Sequence, residues 1–156
     1  MMSLLVLGIG SRLMMDDGIG IYLGEDLKEQ FISNNISFIS GETDVDYCLS
    51  KISEFERIVL IDAYESGKSP GDVTVLPICD LVKARDRCYS LHGMHLINTL
   101  QFIEHQPEGI FIGIEPYEII YGFSLSELLQ RQYQEILKSV YDTIIKYFEN
   151  GGEENA

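Results

Sequence analysis

Residues 4–20, LLVLGIGSRLMMDDGIG, constrain the fold of this chain more than any other stretch. A short apolar run leads into Gly8 and Gly10, the pattern of a buried parallel strand that breaks into a tight turn. Asp16 and Asp17 follow where a helix is expected to begin. Carboxylates at that point offset the positive end of the helix dipole and accept orphan backbone N–H groups, which accounts comfortably for one of them. It does not account for Gly18, Gly20 and Gly24 in the helix opening, each costing about 1 kcal/mol of helix propensity relative to Ala. Something must approach this backbone closely.

A glycine pair after a first strand invites a dinucleotide-binding reading. That fingerprint needs G-x-G-x-x-G/A, and the third small residue is replaced here by Leu13. Glu42 falls only loosely where the ribose-binding acid is expected. The two carboxylates just beyond the turn would also repel a pyrophosphate, so a nucleotide cofactor is disfavoured.

Further along, Ile19, Leu23, Leu27 and Phe31 recur every fourth residue and give the first helix its apolar stripe, which Asn34 and Asn35 end. Residues 36–40 read as a second strand and 45–52 as a weaker helix. A third strand over 57–61 stops at Asp62, the second carboxylate to follow a buried strand directly. After a turn at Gly67, Pro70 and Gly71, residues 72–77 form a fourth strand, whose short connection makes it antiparallel to the third. Residues 79–87 read as a polar loop with a single helical turn. Ser90 looks like the cap of a helix to about residue 104, with Leu96, Leu100 and Ile103 inward. A fifth strand covers 109–114 and closes at Glu115-Pro116. Ser124 and Glu127 form a capping box for a long last helix with Leu125, Leu128, Leu129, Ile136, Leu137, Val140 and Ile144 as its stripe. The expected architecture is α/β, a mostly parallel five-stranded sheet with one antiparallel strand and helices on both faces. Residues 1–149 make one domain and 150–156, NGGEENA, a flexible tail.

In such sheets ligands bind beyond the carboxyl ends of the strands, where the strand order reverses. Asp17 and Asp62 both stand at strand ends, about 5 Å apart if their strands are neighbours and about 10 Å apart with one strand between. Either spacing lets two carboxylates converge on one ion. Charge narrows the partners. With 25 acidic against 11 basic residues, a net charge of −14 repels nucleic acid and anionic membranes, and leaves a basic protein segment as a possible partner. No apolar run approaches the roughly 20 residues needed to span a bilayer, and no basic region precedes the first apolar stretch, so a soluble, unexported chain is expected. Cys48, Cys79 and Cys88 are odd in number and lack C-x-x-C spacing, which fits a reducing cytosol rather than a disulfide framework.

Three histidines are available. His92 and His95 are three apart in a first helical turn, without the H-E-x-x-H of helical zinc peptidases. His95 and His105 read as surface or packing residues, whereas His92 precedes the helix body on a connection that can reach the strand ends. Asp17, Asp62 and one imidazole make an oxygen, oxygen, nitrogen set suited to nickel, zinc or another borderline divalent ion. An ion there could polarise a carbonyl or lower the pKa of a bound water.

Four pieces in register, GIGSRLMMDDGIG, IDAYESGKSPGDV, SLHGMHLINTL and GIEP followed by GFSLSELL, together resemble the hydrogenase maturation proteases. That resemblance implies an α/β/α sandwich and an endopeptidase that trims the C-terminal extension of the nickel-iron hydrogenase large-subunit precursor once nickel is inserted. It implies Asp17, Asp62 and His92 as metal ligands and catalytic site. The nickel belongs to the substrate, and zinc or cadmium can take its place. The partner implied is the precursor, met by a cytoplasmic monomer. Two positions depart from the family: Ser11 stands where Asn is usual, and Gly41-Glu42-Thr43-Asp44 lacks the usual later glycine. A non-catalytic nickel carrier using the same three ligands is the alternative at this point.

Overall fold

A computed structural model describes residues 3–83 and 91–151. Five strands form one sheet in the order β2-β1-β3-β5-β4. They are β1 (Leu4–Ile9), β2 (Ile36–Glu42), β3 (Arg57–Ala63), β4 (Val73–Pro77) and β5 (Glu108–Ile114). All pairings are parallel except that of β4 with β5. The short connection does reverse β4, as the sequence suggests, but β4 is hydrogen-bonded to β5 and not to β3. Seven apolar-rich residues of β5 claim the central place beside β3, because a half-exposed strand such as β4 is better suited to an edge.

The period-two alternation of β1 sends Leu4 and Val6 to one face and Leu5, Leu7 and Ile9 to the other. On the first face lie α1 (Ile19–Ile32) and α5 (Glu127–Glu149), whose stripes Ile19, Leu23, Leu27, Phe31 and Leu129, Ile136, Val140, Ile144 are buried. On the second lie α2 (Val45–Ile52), α3 (Ile78–Lys83) and α4 (Leu91–Leu100), contributing Cys48, Ile52, Ile78, Leu81, Leu96, Ile97 and Leu100. Each fully buried leucine or isoleucine contributes on the order of 2 kcal/mol, so the two faces hold the three layers together. Arg57, buried at the start of β3, donates to the Tyr147 carbonyl at 2.6 Å and ties the amino end of the sheet to the end of α5.

Several element ends differ from expectation. The first helix begins at Ile19, after a 3-10 turn over Met15–Gly18 that carries both aspartates. Asn35 adopts φ 58° beyond α1, a left-handed conformation that Asn tolerates. Strand β3 runs on to Ala63, so Asp62 lies inside it. The helical turn expected within 79–87 is α3, which starts one residue earlier, and α4 ends at Leu100 rather than near residue 104. The cap of α5 is Ser126, not Ser124: its hydroxyl accepts from Leu129 N–H at 3.4 Å. The cap expected at Ser90 and nearly all of the expected tail lie outside the described residues. Among the described residues no helix is long and apolar enough to cross a membrane.

Candidate functional site

From β1 the chain crosses by α1 to β2 on one side, while from β3 it passes to β4 and β5 on the other. The connections therefore diverge between β1 and β3, and a crevice opens outside their carboxyl ends. These strands are direct neighbours, with Gly8 opposite Ile61. Asp62 directly follows Ile61, and Asp17 stands in the 3-10 turn beyond β1. The closer of the two spacings offered by the sequence therefore applies to the strand ends.

Glycine makes this rim possible. Gly20 packs against β3 so tightly that a Cβ there would lie 2.2 Å from the Ile61 carbonyl oxygen and 3.3 Å from Asp62 N. This is the close approach that the glycines of the helix opening foretold. Gly10, at φ 126°, is covered by the Asp17 carbonyl, which a Cβ would meet at 1.9 Å. Only glycine allows both the dihedral and the contact. The 12-residue span from Gly8 to Ile19 is thereby pressed against the ends of β1 and β3 rather than looping away.

The two adjacent aspartates divide. Met15 adopts φ 49°, unfavourable by about 1 kcal/mol for a side-chain-bearing residue, and its N–H is held by the Gly122 carbonyl at 3.2 Å. Beyond that reversal Asp16, fully buried, takes the N–H groups of Tyr117 (3.0 Å), Glu118 (2.9 Å) and Ser126 (2.7 Å) and the Ser126 hydroxyl (2.7 Å). A carboxylate saturated by four donors is structural. Asp17, 5 % exposed, instead accepts the Ser11 N–H at 2.9 Å through Oδ2. Ser11 fulfils the turn role usual for Asn, its hydroxyl accepting from Leu13 N–H at 3.2 Å. Asp62, 1 % exposed, accepts from Ala63 N–H at 2.8 Å through Oδ1.

His92 is the second residue of α4, and its side chain lies outside the described residues. The end of α4 leads into the start of β5, at the amino ends of the strands. The helix therefore begins nearer the carboxyl rim. His95 and His105 are exposed, and His105 borders a cavity of about 670 Å³ at the amino ends, shared with Glu54, Arg57 and Glu108. Among the described side chains, which do not include that of His92, no three metal-binding groups cluster.

Glu115 is a site-supporting residue that sequence reasoning passed over. Buried just after β5, it accepts the Ser66 N–H (2.9 Å), the Ser66 hydroxyl (2.6 Å) and the Gly67 N–H (3.2 Å). It thus clamps the loop that leaves β3 at Ser66 and Gly67, four and five residues after Asp62. Its position, a third carboxylate immediately after a buried strand, was the available signal. On the other side of the crevice, Glu42 adopts φ 50° and its carbonyl accepts the Gly10 N–H at 2.9 Å. The departure at 41–44 is thus part of the wall beside the β1 turn, and Asp44 caps α2 by accepting from Tyr47 N–H at 2.9 Å.

Residues 21–143 match the family model described as hydrogenase maturation protease. The chain belongs to the hydrogenase maturation protease family. The matched span includes Asp62 and His92, and Asp17 lies four residues before it. The hydrogenase expression/formation protein HupD of Rhizobium leguminosarum is 29% identical over 74% of this chain and 60% of its own length. HupD of Rhodobacter capsulatus is 31% identical over 78% of this chain and 61% of its own length. The chain thus spans about three fifths of these two curated relatives. Among solved structures, the hydrogenase maturating endopeptidase HybD from E. coli shares the fold, with a TM-score of 0.78, 21% identity and 93% of each chain covered. The [NiFe] hydrogenase maturation protease HybD from Thermococcus kodakarensis gives a TM-score of 0.73 and 29% identity, over 91% of this chain and 99% of its own.

Proposed function

We propose that this member of the hydrogenase maturation protease family is an endopeptidase that removes the C-terminal extension of a nickel-iron hydrogenase large-subunit precursor after nickel insertion. The observation that carries the reading is the pair of nearly buried carboxylates, Asp17 and Asp62, at the carboxyl ends of adjacent strands. Two carboxylates that converge on one point are stabilised by a divalent cation. With the His92 imidazole they form a mixed oxygen and nitrogen donor set that suits nickel and also accepts zinc or cadmium.

In this reading the ion arrives with the substrate. Asp17 and Asp62 hold the loaded precursor through its metal, and the binding they supply is lost when the metal is missing. The Ser11 and Ala63 N–H groups orient the two carboxylates. Glu115 holds the neighbouring loop still. Selectivity for the loaded state thus follows from placing the acceptors before any cation is present. In this reading the chain acts as a monomer in the cytosol.

Co-expression with the cognate precursor, followed by intact-mass measurement with and without nickel, tests the reading. The expected result is a shortened large subunit only when nickel is supplied. Equal trimming in both cultures would overturn nickel recognition. Stoichiometric nickel binding with every precursor left intact would favour the carrier alternative instead.

A further inference from the structure

Nine large apolar side chains stand exposed among the described residues, and five of them, Leu13, Tyr117, Ile120, Tyr121 and Phe123, belong to two loops joined to each other. Gly122 N–H donates to the Leu13 carbonyl at 2.8 Å, and Met15 N–H donates back to the Gly122 carbonyl at 3.2 Å. The rings of Tyr121 and Phe123 meet edge-on at 5.4 Å. Single exposed apolar residues need no explanation, but a joined group of five marks an interaction surface.

This surface is not slack. Asp16 grips the 117–123 loop at its start, through Tyr117 and Glu118, and just past its end, through Ser126. Because Asp16 adjoins Asp17, the loop is held in a fixed relation to the rim carboxylate. Ordering five apolar side chains in water by means of a buried carboxylate is unfavourable for an isolated chain, and is useful for one that receives a partner there.

The chemistry beside the loop specifies that partner. Phe123 also borders a groove of about 390 Å³ with Tyr22, Asp26 and Tyr133. Tyr133 donates to Asp26 at 2.6 Å and Tyr22 donates to the Phe123 carbonyl at 3.1 Å, so the groove that holds this carboxylate is also lined by three aromatic residues. Arg12 stands over the Tyr22 ring at 6.0 Å, no Lys or Arg is among the groove's own lining residues, and the chain as a whole carries −14. Aromatic faces around an anion bind an ammonium or guanidinium group. We propose that the 117–123 loop and this groove dock the precursor itself, taking an apolar segment against Ile120, Tyr121 and Phe123 and one of its Lys or Arg side chains beside Asp26. The inference rests on the endopeptidase reading and concerns how the substrate is held.

Two variants test it: the combined Ile120→Ser, Tyr121→Ser and Phe123→Ser chain, and Asp26→Lys. All four side chains are largely exposed or at the surface, and thermal melting confirms that each variant folds. Binding to immobilised, nickel-loaded, full-length precursor is measured alongside trimming. Each variant is expected to weaken binding and raise KM about tenfold, with kcat within about twofold. Added salt weakens binding of the wild type more than that of Asp26→Lys. Unchanged binding in both variants overturns the proposal. So does a wild-type dimer that the triple variant dissolves without change in precursor binding, since the surface then serves a second copy. If the wild type binds the precursor yet never trims it, the endopeptidase reading fails, and the variants' binding still decides the docking surface.

Discussion

Asp16 accepts the Ser126 N–H at 2.7 Å on Oδ1 and the Ser126 hydroxyl at 2.7 Å on Oδ2, although 110 residues separate the two in sequence. Ser126 is the N-cap of α5, so one buried carboxylate holds the start of the longest helix against the turn that presents Asp17. The two adjacent aspartates thus differ: Asp16 is taken up by the start of α5, and Asp17 by the Ser11 N–H of its own turn.

Asp16→Asn places an amide NH₂ among four donors and leaves at least one of them without an acceptor. The variant is expected to lose about 3 kcal/mol of unfolding free energy, measured by urea denaturation. An unchanged midpoint would show that Asp16 does not hold the turn to α5.

Asp17→Asn and Asp62→Asn remove charge while nearly preserving shape. Each is expected to shift stability by only about 1 kcal/mol and to slow trimming of nickel-loaded precursor about 100-fold or more. Intact-mass time courses read the effect, and near-normal trimming by either variant would show that the site lies elsewhere.

Gly20→Ala drives a methyl group into the Ile61 carbonyl, which stands 2.2 Å from the ideal Cβ position. Neither α1 nor β3 can yield without repacking, so a cost of about 2 kcal/mol is expected together with slower trimming. Thermal melting and the trimming assay check it; a Tm equal to that of the wild type would mean that the contact relaxes freely.

Alkaline pH provides a separate probe of the α2 face. Burial, followed by the nearby Asp44 charge, pushes the Cys48 thiol from 9.0 up to about 11, and the thiol donates to the Gly41 carbonyl at 3.6 Å. A raised pKa in the folded state means that the unfolded chain loses this proton first as pH rises. The contribution is therefore complete below about pH 9 and disappears between about 9 and 11. Cys48→Ala should flatten the fall in unfolding free energy across that window, by on the order of 2 kcal/mol. Parallel curves for variant and wild type would rule the thiol out as the cause.

Much of the fold is legible locally. The bounds of α2, the buried stripes of α1 and α5, and the run of β3 up to Asp62 follow from side-chain periods of 3.6 and 2, which are encoded within a few residues. The same local pattern marks Asp17 and Asp62 as carboxylates at strand ends. Other features depend on partners far away in the chain. Ser126 rather than Ser124 caps α5 because Asp16 captures its backbone and hydroxyl. Glu115 matters because Ser66 and Gly67 come to it.

From its own residues the chain determined five strands, the helices between them, and the short turn that carries two acids past the first strand. Tertiary structure alone decided that β5 separates β3 from β4, that β1 and β3 lie side by side, and which aspartate is saturated by distant donors. The physical reason is that hydrophobic periodicity is a property of neighbouring residues. The choice between two adjacent carboxylates depends instead on which donors, about 100 residues away, reach one of them first.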